Sequence, residues 1–312
     1  MVYLRIAVKG GKKMTYDEWY TQYLALYKPN LRAKTLESYG HIHGAVISPL
    51  IGGHDLTAIT AEDVQRVLLA AARHGPRLAQ IAHALLRAVL RRAVRSRLIS
   101  WSPVDAVDRP AHAPAEGAAL SDDEYAAALP VLLEDLPLAL AVLAGLRRGE
   151  ICGLQWGDVD LAAGLIHVRR TRVRCNGRLV TGPPKSAAGV RSVPIGAPLR
   201  PVLARAFVLC PDSWVCPYAP EGLSRRWGAI QRTLHLSRRY RLHDLRHTHA
   251  TILLANSIDV VAVATRLGHS DASTTLKVYA HALRRRDEDA ARAAQGLLDR
   301  AADDLAEDKT EN

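Results

Sequence analysis

Apolar residues recur every three or four positions through most of this chain, a spacing that commits it to helices packed by one face. Trp19, Tyr23 and Leu26 begin the pattern after Thr15, and Pro29-Asn30 interrupts it. A second helix, capped by Thr35, carries Leu36, Tyr39, Ile42 and Val46 and ends near Pro49 and Gly52-Gly53. Thr60 and Asp63 form a capping box, with Asp in place of the usual Glu, that opens a third helix from Val64 to Ala72. Gly75-Pro76 separates it from a fourth, Leu78 to Leu98. The period shortens to two between Leu165 and Arg174, Asn176-Gly177 is the strongest hairpin signal, and Val190 to Ile195 completes a small three-stranded antiparallel sheet. The expected fold is mainly α with a small antiparallel β-sheet, an α+β chain.

Ser121-Asp122-Asp123-Glu124 is a second capping box, opening a Leu/Ala helix that ends at Gly145. Helices near Leu199 to Leu209 and Leu223 to Leu234 follow. A length of 312 residues predicts about two domains. Arg109 to Ala115 reads as an extended Pro-Ala linker. The expected division is a basic arm (1–14), a helical domain (15–107), a linker (108–118), a second domain (119–281) and a C-terminal helix with an acidic tail (282–312).

A net charge of +11 favours a polyanionic partner, nucleic acid or an acidic membrane. No apolar run approaches the roughly 20 residues that span a bilayer, the longest candidate being Leu136 to Leu146, and no signal-peptide pattern opens the chain. A cytoplasmic protein is expected, and the lack of an apolar anchor disfavours a membrane partner. Cys152, Cys175, Cys210 and Cys216 form no CxxC pair. His243, His247 and His249 lack the Glu of a metalloprotease motif, Asp244 standing in its place, so no metal or other cofactor is read. On the fourth helix Arg87, Arg91, Arg92 and Arg95, with Arg97 beyond them, make a cationic side suited to crossing a DNA backbone.

The chemistry-bearing residues crowd between Arg241 and His281. His243 and Arg246, three apart, project from one helical face, while Ile252, Leu253 and Leu254 offer an apolar stripe, so one face reads as basic and the other as buried. Asp259 caps a helix from Val260 to Leu267, which Gly268 ends, placing His269 at a helix terminus. Tyr279 is the one strong nucleophile candidate of the last segment.

These clusters resemble the boxes of the tyrosine recombinase family, the phage integrases and Xer-type recombinases. The HxLRH run stands as His243-Asp244-Leu245-Arg246-His247, the Leu-Gly-His as Leu267-Gly268-His269, and the segment ending in the nucleophile as Thr274-Thr275-Leu276-Lys277-Val278-Tyr279. About a hundred residues upstream, Gly145-Leu146-Arg147-Arg148-Gly149-Glu150 supplies the family's first box. The resemblance implies an N-terminal helical core-binding (SAM-like) domain and a C-terminal tyrosine recombinase catalytic domain. It makes Arg147, Arg246 and His269 phosphate-binding, with Glu150 in support, Tyr279 the nucleophile and His243 a base. Lys185, which alone would read as a solvated turn residue, becomes the catalytic lysine of a hairpin followed by Arg191-Ser192-Val193-Pro194. It further implies double-stranded DNA as substrate, a homotetramer on DNA passing through a Holliday junction, and an accessory directionality or DNA-bending protein as a further partner. A type IB topoisomerase, or a DNA-binding protein without catalysis, would share the basic surface; the second would not need Tyr279.

Overall fold

The computed structural model describes residues 13–111, 117–207 and 210–271. Tyr279, the preceding threonines and the expected C-terminal helix lie outside the described residues, as does most of the basic arm. The chain divides into two compact units, Met1–Ala115 and Glu116–Asn312.

The first unit is helical. Helix α1 (Tyr16–Tyr27) starts at a Thr15/Glu18 capping box and buries Tyr16, Trp19, Tyr20 and Tyr23. The Trp19 indole N–H donates to Val89 O at 3.0 Å, fastening α1 to α4 (Pro76–Arg95). Between them lie α2 (Ala33–Ile42) and α3 (Ala61–Arg73), the latter opened by the expected Thr60/Asp63 box. The second helix corrects the expectation in two respects. Arg32 rather than Thr35 stands at its cap, and beyond Ile42 the winding loosens to π-helix from His43 to Gly52, so that Val46, Ile47 and Ile51 still reach the core. Pro49, inside that stretch, has no N–H to contribute to a regular α-ladder.

In the second unit the single Leu/Ala helix expected to end at Gly145 is two helices, α5 (Asp122–Leu133) and α6 (Leu136–Leu143). The Asp135 carboxylate accepts from Leu138 N at 3.3 Å and Pro137 lacks an N–H, which together start a new helix. Helix α6 buries seven of its eight residues and is the central element, packed on by α5, α7 (Arg148–Cys152), α8 (Leu199–Ala206) and α10 (Leu242–Ala255). Helix α9 (Pro220–Ile230) packs on α7 and α10, and α11 (Val260–Leu267) on α10.

The expected three-stranded sheet is also rearranged. Strand β2 (Leu165–Val168) lies between β1 (Val159–Asp160) and β5 (Arg191–Pro194), while β3 (Thr171–Cys175) and β4 (Arg178–Gly182) form a separate hairpin. Arg169 and Arg170, which break the alternation, turn to the buried Asp158 carboxylate at 3.5 and 3.3 Å. Asn176 and Gly177 both adopt positive φ, 46° and 74°, as a type I′ turn requires. Among the described residues, no helix is long and apolar enough to cross a membrane.

Candidate functional site

Two glycines in the left-handed region shape the corner where α6, α7 and α11 meet. Gly145 follows α6 at φ +66°, and a Cβ there would come within 2.7 Å of the His249 and Leu267 side chains. Gly268 ends α11 at φ +67°, and a Cβ there would come within 2.7 Å of Ala188 O. Only glycine meets both demands cheaply.

Into this corner the fold brings three arginines around one carboxylate. Glu150, on α7, is 3% exposed. Its Oε2 accepts from the Arg147 backbone N–H at 2.9 Å and its Oε1 from Arg147 Nη1 at 2.7 Å. From β5, Arg191 approaches both oxygens, Nη1 to Oε1 at 3.2 Å and Nη2 to Oε2 at 3.0 Å. Arg246 Nη1 stands 3.9 Å from Oε2. Burial by itself would raise the Glu150 pKa; the Arg191 hydrogen bonds and charge, with Arg147, outweigh it and leave the carboxyl below its ordinary value.

The same arginines terminate α11. Arg191 Nε donates to Arg266 O at 2.7 Å, Arg246 Nη2 to Leu267 O at 2.6 Å, and Arg147 Nη2 to Gly268 O at 2.8 Å. The last carbonyls of a helix lack internal donors and lie at the negative end of its dipole, so three guanidiniums are held between that end and the Glu150 carboxylate. Against one carboxylate they leave two positive charges in excess.

The division expected from spacing, one face basic and the other buried, does not hold at Arg246, which is both basic and buried. Arg246 is 2% exposed, its Nη1 donating to Gly145 O at 2.6 Å, whereas His243 on the same helix is exposed and Ile252 and Leu253 are half-buried. The Arg147 side chain keeps 35% of its surface open. It lines a groove of about 760 Å³ with Arg148, Arg239, Tyr240, Arg241 and His243. The start of α10 is pinned there: the Tyr240 N–H donates to Gln231 Oε1 at 2.9 Å and the Arg241 N–H to the buried Asp244 carboxylate at 2.7 Å.

His269 follows α11 directly, its N–H donating to Ala264 O at 3.0 Å. Burial, then Arg246 and Arg147, push its pKa down to about 4. The His243 ring packs edge to face on His247 at 4.7 Å. Desolvation on its protein side, then His247 and Arg246, bring it down to about 4 as well. Both imidazoles are neutral at physiological pH. His249 is committed to packing: Nδ1 donates to Val142 O at 3.0 Å, and Nε2 accepts from Arg266 Nε at 3.0 Å.

Lys185 is exposed in the turn between β4 and β5, and Ala188 of that turn lies against Gly268. The arginines of α4 belong to the first unit. Arg91 Nη2 pairs with Asp105 at 2.8 Å, Arg87 lies 3.9 Å from the same carboxylate, Arg92 stacks on the Tyr27 ring at 3.6 Å, and Arg95 is exposed. Together with Lys28 and Arg109 they line a second cationic groove, of about 680 Å³.

The residue that sequence reasoning left unassigned is Arg191. Its signal was present: period-two alternation puts it on the same face of β5 as the fully buried Val193.

The model of the phage integrase family matches residues 123–286, and that of the phage integrase N-terminal SAM-like domain matches residues 15–69. An integrase of Staphylococcus phage L54a is 28% identical over 176 residues, 50% of each chain. The chain spans about half the length of the curated relatives it matches. Among solved structures, the Tn1549 transposon integrase in complex with a circular intermediate DNA superposes with a TM-score of 0.73 at 18% identity, over 88% of this chain and 99% of that one. A lambda integrase tetramer bound to a Holliday junction gives 0.61 at 19%, over 83% and 78%. The fold is thus mostly helical with small antiparallel sheets, a SAM-like domain preceding the integrase domain.

Proposed function

The chain belongs to the phage integrase family, and on that premise we propose that it is a site-specific DNA recombinase that cuts and rejoins strands through a 3′-phosphotyrosine. The observation that carries the reading is the arginine cluster, with Arg147 partly open to a cationic groove. A phosphodiester carries one negative charge, and more builds on its oxygens as a nucleophile adds. Fixed guanidiniums supply the compensating field, and their planar forks match two oxygens at once.

In this reading Tyr279 attacks phosphorus. Its phenolic proton passes to neutral His243, whose depressed pKa keeps it able to accept one. Arg147 and Arg246 hold the non-bridging oxygens, and His269 donates to them. Burial holds Arg246 in register from beneath, while Arg147 offers its open edge. The P–O5′ bond breaks as Lys185 transfers a proton to the departing oxygen, leaving a covalent 3′ ester and a free 5′ hydroxyl. Attack by a 5′ hydroxyl of a second duplex reverses the step with exchanged partners, so neither ATP nor a metal ion is consumed. The α4 arginines of the first unit, Arg87, Arg91, Arg92 and Arg95, contact the DNA backbone. The assembly is a tetramer on DNA acting through a Holliday junction, in the integration or excision of a mobile element, with a directionality or DNA-bending protein as accessory.

The test uses nicked duplexes tiling the DNA that flanks the gene, incubated with the protein in EDTA and resolved on a denaturing gel. A covalent adduct with wild type that vanishes in Tyr279→Phe, with salt-sensitive binding intact, is the expected result. Binding without any adduct would instead favour a DNA-binding protein without catalysis. An adduct that reseals without ever exchanging strands would favour a topoisomerase.

A further inference from the structure

We propose that Arg191 is a positioning residue for Lys185, locking the β4–β5 turn onto the arginine cluster so that the acid and the phosphate clamps move as one body. The proposal rests on the reading of Lys185 as the acid that protonates the 5′ oxygen.

Arg191 is bonded to the turn, to Glu150 and to the end of α11. Its Nη1 donates to Gly189 O, within the turn, at 3.1 Å and to Glu150 Oε1 at 3.2 Å; its Nη2 takes Glu150 Oε2 at 3.0 Å and its Nε takes Arg266 O at 2.7 Å. The side chain is 7% exposed, so these bonds are shielded from water and stronger than surface pairs. The turn has a short 3₁₀ segment, Ala187–Gly189, closed by Gly189 N to Ser186 O at 2.9 Å and by Val190 N to Ala187 O at 2.9 Å. Ala188 is seated against Gly268. The Arg191 guanidinium holds that segment from below. Glu150 and two carbonyls occupy its fork.

Leaving-group chemistry separates this role from a merely structural one. When the P–O5′ bond breaks, the oxygen needs a proton, because a hydroxyl has a pKa near ~15.7. A 5′-bridging sulfur leaves as thiolate, with a pKa near ~8.5, and needs none. A defect caused by a displaced acid is therefore repaired by sulfur, and a defect in clamping or folding is not.

Full-length wild type, Lys185→Ala, Arg191→Gln and Arg191→Lys are compared on nicked duplexes with oxygen or sulfur at the scissile position. In parallel, amide hydrogen exchange is followed without DNA. On oxygen, Lys185→Ala is expected to slow adduct formation by on the order of 10²-fold or more. Arg191→Gln is expected to slow it by roughly 10- to 100-fold. On sulfur both deficits largely vanish, DNA affinity is unchanged, and amides 186–190 exchange faster in Arg191→Gln than in wild type. Arg191→Lys keeps the charge without the fork and is expected to fall between, which separates loss of geometry from misfolding. Rescue of Lys185→Ala but not of Arg191→Gln or Arg191→Lys overturns the proposal. If sulfur fails to rescue Lys185→Ala, or wild type gives no adduct, the acid reading of Lys185 fails instead. The exchange measurement then decides the locking by itself: faster exchange at 186–190 upholds it, and unchanged exchange overturns it.

Discussion

Replacing Glu150 by Gln keeps the side chain's volume and removes only its charge, which makes it the sharpest test of the arginine cluster. The carboxylate is 3% exposed and meets Arg191 at 3.0 and 3.2 Å and Arg147 at 2.7 Å. A single such pair is worth about 4 kcal/mol of Coulomb energy at an effective dielectric constant near 20. Relief of the cost of burying the anion offsets part of that, and the Arg147 share is discounted because a third of that side chain faces water. Removing one partner from a buried pair costs about 3–5 kcal/mol in practice. We expect the lower end, about 3 kcal/mol, because glutamine can still accept from the Arg147 backbone N–H. At about 2–4 °C per kcal/mol for a domain of this size, the second unit should melt roughly 6–12 °C lower by calorimetry at pH 7.

The pH dependence follows from the sign of the shift. A carboxyl depressed in the folded state stabilises above its unfolded pKa, near ~4.3, and that stability is lost as pH falls through the lower folded value. The gap between wild type and Glu150→Gln should therefore stay constant from neutral pH down to about pH 5 and close only below about pH 4. A melting point within about 1 °C of wild type at pH 7, or a gap that closes near neutrality, would refute the picture of a buried charge held by guanidiniums.

Arg147→Lys should lower the rate of covalent adduct formation by about 10²-fold or more, because charge is kept while the bidentate fork is lost; a fully active variant in the same gel assay would remove the clamp. The pH profile of adduct formation at limiting DNA should stay flat well below the ordinary histidine range and fall only towards about 4, since His243 and His269 are both held near that value; an acid limb centred on about 6.5 would contradict their desolvation. Arg95→Gln should leave folding untouched and reduce the slope of log affinity against log salt by about one counterion, and an unchanged slope would take Arg95 off the DNA path.

Much of the fold was legible because it is written in local chemistry. The capping boxes at Thr60/Asp63 and Ser121/Glu124 and the Asp259 cap mark helix starts, Gly268 marks a helix stop, and Asn176-Gly177 marks the hairpin turn, since each rests on side chains within three or four residues of the backbone they serve. The errors came where tertiary context outweighs such signals. The second helix loosens at His43 to keep its apolar residues on the core, whereas the break at Asp135 is written locally, in the Asp135 cap and Pro137, and was passed over. Arg169-Arg170 turn to the buried Asp158, 11 and 12 residues away in sequence and a distance no periodicity reports, so one expected sheet becomes two.

The family was readable from order and spacing, because its motifs are short and each is nearly contiguous. What only the tertiary structure decided is how the boxes meet. Spacing placed Arg246 on a basic helical face opposite the buried one, yet it is itself buried because Gly145 and the end of α11 each leave a carbonyl in need of a donor. Arg191 looked like one more basic residue in a strand, yet it ties the Lys185 turn to Glu150, 41 positions earlier, and to Arg266, 75 positions later. Hydrogen bonds and buried charge act through space, over a few ångströms, and a linear pattern registers them only where the chain returns to itself within a turn or two.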